Sequence, residues 1–313
     1  MANRSWCLSA EPSFQDFLEV QNFLGLPSPA LVEKDWHVVR ALAVLRNVNI
    51  GDARLVFGGG TALSRAHRVT QRMSEDIDLK IISDAPLSRP ALRNLRDNVT
   101  GALQDAGFDF DPSNPAHRQS GNGSRYTVYR LPYVALLAGE GALRPEIKIE
   151  TAVWPLRRLA VSLDVSSFLA QAMNKPPEVP QMPCADLSEI VAEKFVALTR
   201  RVGAELADAG GPRDRTLVRH IYDIHAVRDR VRPSDVRSLI LEIMADDVEA
   251  YGHQFPAYRE SPVAETLRAV DGLASEERYA RIYAEFVRDM VYGSAPTFQM
   301  ALRTVSALAD ALR

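Results

Sequence analysis

The stretch GGGTALSRAHRVTQRMSEDIDLKI, Gly58 to Ile81, constrains the fold more than any other part of the chain. Three glycines follow a short apolar run, ARLVF, that reads as a buried strand; a helix start follows, with Thr61 near its cap. SEDIDLKIIS then alternates with period two, so Ile77, Leu79 and Ile81 point one way and Asp76, Asp78 and Lys80 the other. A bare strand-to-helix turn is thus followed by a strand that carries two carboxylates on one face, roughly 6–7 Å apart along the backbone.

Two anions that close need a cation between them, and Mg²⁺, which prefers hard oxygen ligands, fits best. Asp76 and Asp78 are therefore candidate metal ligands. An acid on a neighbouring strand would complete the set. RPEIKIETAV supplies Glu150, with Glu146 on the same strand face in reserve. Metals held in this way draw charge from the attacking and leaving oxygens of a phosphoryl or nucleotidyl transfer. The turn Gly58–Gly60 with Thr61 lets backbone N–H groups approach phosphates at a helix N-terminus. Ser74 sits just before the aspartate strand, where a phosphate on its hydroxyl would add about −1.5 to −2 charges beside a bound nucleotide.

Elsewhere the chain reads as helix over SPALVEKDWHVVRALAVL, with Ser28 as N-cap and Pro29 at the first position, and over SRPALRNLRDNVTGALQDAG, closed by Gly107. RYTVYRLPYVA alternates as a strand, and FDFDPSNPAHRQSGNGS reads as loop. The proline-rich NKPPEVPQMP is the candidate boundary between residues 1–183 and 184–313. Beyond it the pattern is helical. DLSEIVAEKFVALTRRV opens on a capping-box arrangement of Asp186 with Glu189, and GAELADAGGPRD reads as a flexible loop. RTLVRHIYDIHAVRDR and three later stretches are helices. The order defines an α+β chain: a mixed α and β part, then a purely helical part.

Composition narrows the setting. Cys7 and Cys184 are too few for a disulfide framework or a cysteine-based zinc site. No apolar run is long enough to span a bilayer, and the N-terminal MANRSWCLSAEPSF lacks a secretory core, so a cytoplasmic protein is expected. Net charge is −3, yet four arginines and no acid fall between Arg54 and Arg72, and eight arginines against five acids between Arg200 and Arg232. Such patches suit a polyanion held at one site. Lysine occurs only at positions 34, 80, 148, 175 and 194, which marks places where a compact ammonium is favoured over a guanidinium. Lys148 shares a strand face with Glu150, as counter-charge or phosphate contact. On the helix of RHIYDIHAV, Arg219 and Asp223 are four apart and could pair with each other; alternatively Arg219 contacts phosphate and Asp223 acts beside the nucleotide or as a base.

Taken together, these segments resemble the AbiEii/AbiGii toxin family, whose fold is that of the DNA polymerase beta-type nucleotidyltransferases. FGGGTALSRAHRVTQRMSEDIDLKI carries the strongest likeness; VEKDWHVVRAL, IKIE, AEKFVALTRR, RHIYDIHAV and FVRDMVYGSAPTFQMAL resemble further blocks. Gly58 stands where relatives often have lysine, and Ala62 where serine is common. The resemblance implies a nucleotidyltransferase-like mixed sheet flanked by helices, with a C-terminal helical bundle. It implies a Mg²⁺-dependent toxin that transfers a nucleotide from a nucleoside triphosphate to an acceptor, a tRNA 3′ end, and a cognate antitoxin as partner. Asp76, Asp78 and Glu150 would hold metal, and Gly59, Gly60, Thr61 and Lys194 phosphates. A small-molecule or protein acceptor and a non-catalytic binding module are the competing functions.

Overall fold

The computed structural model describes residues 11–137, 143–208 and 213–313. Helices α1 (Phe14–Leu24) and α2 (Pro29–Arg46) open the chain, each capped by a serine hydroxyl, Ser13 and Ser28. Strand β1 (Arg54–Gly58) runs into the single turn α3 (Gly59–Thr61), which continues as a π-turn over Ala62–Ala66. Then come β2 (Asp76–Ile82), α4 (Arg89–Asp105), β3 (Arg118–Gly121), β4 (Tyr126–Pro132), β5 (Glu146–Val153), β6 (Val161–Val165), α5 (Phe168–Ala172) and β7 (Val179–Cys184). Helices α6 (Leu187–Ala207), α7 (Val218–Ala226), α8 (Pro233–Tyr251), α9 (Pro256–Glu260), α10 (Pro262–Ser275), α11 (Glu277–Met290) and α12 (Phe298–Asp310) complete it.

The seven strands form one mixed sheet in the order β3-β4-β5-β2-β1-β7-β6. β1 and β2 are antiparallel, while β2 and β5 are parallel and set Asp78 directly opposite Glu150. The alternation read from sequence holds: Ile77, Leu79, Ile81, Ile147 and Ile149 are buried on one face. The acids are left on the other.

Several expectations change. The loop expected over residues 108–124 contains β3, a polar edge strand (RQSG) with no hydrophobic alternation to announce it; its ladder to β4 supplies the stability. Half of the proline-rich stretch is β7, which pairs with β1 and β6. Pro180 fits there because it falls in the irregularity of the β6–β7 ladder between Val179 and Met182, a bulge position that tolerates proline. The loop expected over residues 203–214 begins inside α6, and 209–212 lie outside the described residues. Thr61 does not cap a helix: α3 starts two residues earlier, and the threonine hydroxyl donates to the Asp76 carbonyl and is hydrogen-bonded to the Ser74 hydroxyl at 2.9 Å. Glu189 does not close a capping box. Asp186 alone caps α6 through the Ser188 N–H at 2.8 Å. The Glu189 carboxylate turns away, accepting from Lys80 Nζ at 2.6 Å and from the backbone N–H of Arg157 and Arg158.

One continuous apolar cluster joins the sheet, through Phe57, Leu79 and Ile149, to the helical half, through Phe195, Ile221, Tyr283 and Val305. A smaller cluster around Phe17, Trp36 and Phe168 seats α1 and α5 on α2.

Candidate active site

The geometry of the site starts with Gly59. Its φ of +69° is in the left-handed region, and a Cβ there would stand 1.8 Å from Asp78 Oδ2. Only glycine leaves that carboxylate its place. At Gly60 a Cβ would lie 2.4 Å from the Arg72 guanidinium and 2.9 Å from Ser74 Oγ. The bare turn thus clears room for three side chains at the mouth of the sheet, besides exposing backbone.

Those side chains line a cavity of about 530 Å³ between the sheet and α6–α7. Asp76, Asp78 and Glu150 form its floor. Burial, then the charges of Glu150 and Asp76, push the Asp78 carboxyl up to about 7. Lys148 pairs with Glu150, whose other oxygen accepts the Tyr126 hydroxyl at 3.1 Å. Glu146 lines the same cavity but lies beyond the first β2 residue, beside Arg144.

The walls are basic. Lys34 is 1% exposed; it donates to the carbonyls of Arg144 and Glu146 and pairs with Glu75 at 3.2 Å. Lys194 and Arg72 converge on Asp223. The guanidinium donates through Nε and Nη2 to the two carboxylate oxygens, each at 2.6 Å, and Lys194 Nζ sits 2.9 Å from one of them. Burial alone would raise the Asp223 pKa, but the two cations outweigh it and hold the carboxyl well below the usual range. Arg219 also lines the cavity; burial and the nearby Arg72 lower its pKa.

The structure therefore brings Asp76, Asp78, Glu150, Gly60, Ser74, Lys148, Lys194 and Arg219 to one cavity. Thr61, 1% exposed, lies behind it, pinning the start of β2. Asp223 departs from the expected general base. It is fully buried, is not among the lining residues, and is saturated by two cations, so it is a poor proton acceptor. Nor does it pair with Arg219. It anchors Lys194 and Arg72.

Sequence reading gave no role to Arg72 or Lys34. Lys34 carried a signal, as one of five lysines in an arginine-rich chain; the partner of Arg72 lies 151 positions away. The stretch around Arg72 is also tied to the C-terminal region: Met73 N–H donates to the Met290 carbonyl at 2.8 Å and Tyr292 N–H to the Gln71 carbonyl at 3.0 Å.

The donor chemistry suits a divalent cation: hard carboxylate oxygens, with the Asp78 carboxyl raised to about 7 by burial and then by its acidic neighbours. Among the described residues no three such groups enclose a single point, and Glu150 is engaged by Lys148 and Tyr126.

A mixed sheet with two aspartates on one strand, a third acid facing them from the next, and a glycine turn at their side defines a protein of the nucleotidyltransferase class. A family model described as the nucleotidyl transferase AbiEii toxin of type IV toxin–antitoxin systems matches residues 40–304. The chain belongs to that family, and is a nucleotidyltransferase toxin. Among solved structures it is similar to MenT4, a nucleotidyltransferase toxin from Mycobacterium tuberculosis H37Rv, with 21% identity and a TM-score of 0.52 over 95% of this chain and 99% of that one. At that identity the likeness concerns the fold. No curated protein matches by sequence. No described helix is long and apolar enough to cross a membrane.

Proposed function

We propose that the protein is a Mg²⁺-dependent toxin that transfers a nucleotide from a nucleoside triphosphate to the 3′ end of tRNA in the cytoplasm, blocking translation until an antitoxin intervenes. The observation that carries this reading is the separation of charge within one cavity. Asp76 and Asp78 project from β2, Glu150 faces Asp78 across the β2–β5 register, and Lys34, Arg72, Lys194 and Arg219 line the same cavity. A triphosphate with its metal has the complementary pattern.

In this reading Asp76, Asp78 and Glu150 hold the metal, which when bound neutralises charge on the phosphates and supports the leaving pyrophosphate. Lys194 and Arg219 hold phosphates, with Gly59 and Gly60 offering backbone N–H groups. Ser74 borders the same phosphates, and Thr61 fixes the turn against β2. Asp223 is a positioning residue that aims Lys194. The acceptor hydroxyl oxygen forms a bond to the α-phosphorus while the bond to pyrophosphate breaks; the leaving oxygen keeps the electron pair, and the hydroxyl proton passes to the carboxylate cluster. Residues 1–183 would supply the metal ligands and the turn, and residues 184–313 supply Lys194, Arg219 and Asp223.

The test is incubation with each α-labelled nucleoside triphosphate, Mg²⁺ and deproteinised tRNA. Label is expected at the RNA 3′ end, and is expected to vanish with chelator and in Asp76→Ala or Asp78→Ala. Label on protein or a small molecule instead would displace the tRNA reading, and no transfer to any acceptor would remove the enzymatic one.

A further inference from the structure

Beyond Glu150 the site face of the sheet continues for two more strands. The registers Val128↔Glu150, Arg130↔Lys148 and Gln119↔Val128 put these residues on the same face as the aspartates. Tyr129 and Leu131 of β4 point to the core instead, both at 0% exposure. On the site face lies a second hollow of about 260 Å³, bordered by Gln119, Ser120, Tyr126, Arg130, Lys148 and Glu150. Arg130, Lys148 and Glu150 border the nucleotide cavity as well. The two hollows therefore share one wall, and that wall carries the third acid. Tyr126 is 38% exposed, and its hydroxyl donates to Glu150 Oε2.

We propose that this shelf seats the terminal nucleotide of the acceptor strand and that Tyr126 is its positioning residue. The inference rests on the nucleotidyl-transfer reading and adds where the acceptor binds. The chemistry favours an unpaired nucleic-acid end. The tyrosine ring offers a stacking face for a base, as in single-strand binding sites. Arg130 and Lys148 offer counter-charge to a phosphate. The exposed Gln119 side chain, on this face, can meet a base edge. A hydroxyl on a nucleotide stacked there reaches the shared wall, beside the phosphates in the larger cavity. A hollow of this size takes one splayed nucleotide and excludes a duplex.

The experiment measures steady-state transfer from a labelled nucleoside triphosphate to tRNA, varying each substrate in turn, for the parent, Tyr126→Ala, Tyr126→Phe and Gln119→Glu. Gln119 is an exposed edge residue, so its variant tests the shelf without disturbing the core. Tyr126→Ala is expected to raise KM for tRNA about tenfold or more with KM for the triphosphate unchanged. Tyr126→Phe is expected to keep the tRNA KM near the parent value, because the ring and not the hydroxyl carries the stacking. Gln119→Glu is expected to raise the tRNA KM through repulsion of phosphate. An unchanged tRNA KM in both Tyr126→Ala and Gln119→Glu, or a rise in the triphosphate KM of equal size, overturns the assignment while leaving the transfer reading in place. A parent protein that labels no RNA removes both readings, and that result is visible before any variant is made.

Discussion

Burial, and then the charges of Glu150 and Asp76, make the native state bind the Asp78 proton more tightly than the unfolded chain does. The carboxyl is raised from 3.8 to about 7. Between those values the native state holds more protons, so this group's contribution to stability falls as pH rises through the window and is lowest above pH 7. Asp78→Asn cannot ionise and escapes that cost. Thermal unfolding in chelator is expected to find the variant more stable than the parent at pH 8, by about 1–3 kcal/mol after allowance for solvent screening. The difference should shrink as pH is lowered towards 4, and the variant should be inactive. A gain that does not vary with pH would contradict this account. Asp223 has the opposite sign. Its depressed carboxyl stabilises the fold above the unfolded pKa and loses that contribution only as pH falls through the folded one. Asp223→Asn leaves Arg72 and Lys194 buried without their counter-charge and is expected to cost about 3–5 kcal/mol. Lys194→Ala keeps the Arg72 pair, so its melting temperature should change far less while transfer is lost. Calorimetry beside the transfer assay separates the two; a large activity loss in Asp223→Asn at unchanged stability would return Asp223 to a direct chemical role.

At the scale of elements, the turn from β1 into α3 is fixed by what it must avoid. Gly59→Ala meets both an unfavourable left-handed backbone, about 1–2 kcal/mol, and the Asp78 carboxylate. The variant is expected to lose that stability and to fall at least 100-fold in kcat/KM, because Asp78 must move. Denaturant titration and kinetics check the two parts; wild-type activity in Gly59→Ala would show that the carboxylate has another home. Helix α2 shows a second principle. Glu33, Lys34 and Asp35 are consecutive, so their side chains fan about 100° apart, and all three are buried. Each finds polar partners in a different element. Glu33 accepts from the Leu136 and Leu137 N–H groups, Lys34 reaches the start of β5, and Asp35 holds Arg65 at 3.2 Å and the Phe168 N–H at 2.6 Å. A helix enclosed all round can carry charge only where every charge has such a partner.

At the scale of the molecule, the sheet and helical halves share one apolar cluster and are pinned by Arg72–Asp223 and the backbone bonds of residues 71–73 to 290–292. The walls of the cavity beside Asp76 and Asp78 come from both halves, so formation of the cavity and folding of the halves are coupled. We expect a single calorimetric transition for the full chain, with no folded monomer from residues 1–183 alone. Two well-separated transitions would show the halves to be independent domains.

Much of this was written locally. The period-two run of residues 76–82 set which side chains of β2 are buried, and the glycines ahead of it marked a turn that admits no Cβ. The Ser28 cap placed the start of α2, and Gly107 marked the end of α4. These features depend on neighbours a few residues away, so the sequence alone determined them, and with them the class of chemistry. What the tertiary structure decided concerns partners distant along the chain. Only the parallel register of β2 with β5 selects Glu150 over Glu146 as the acid opposite Asp78. Only the packing of α7 against α6 and the segment before β2 gives Asp223 to Lys194 and Arg72 rather than to Arg219 one helical turn away. A buried charge takes the partners that folding brings to it, and spacing along the sequence does not say which of several opposite charges that will be.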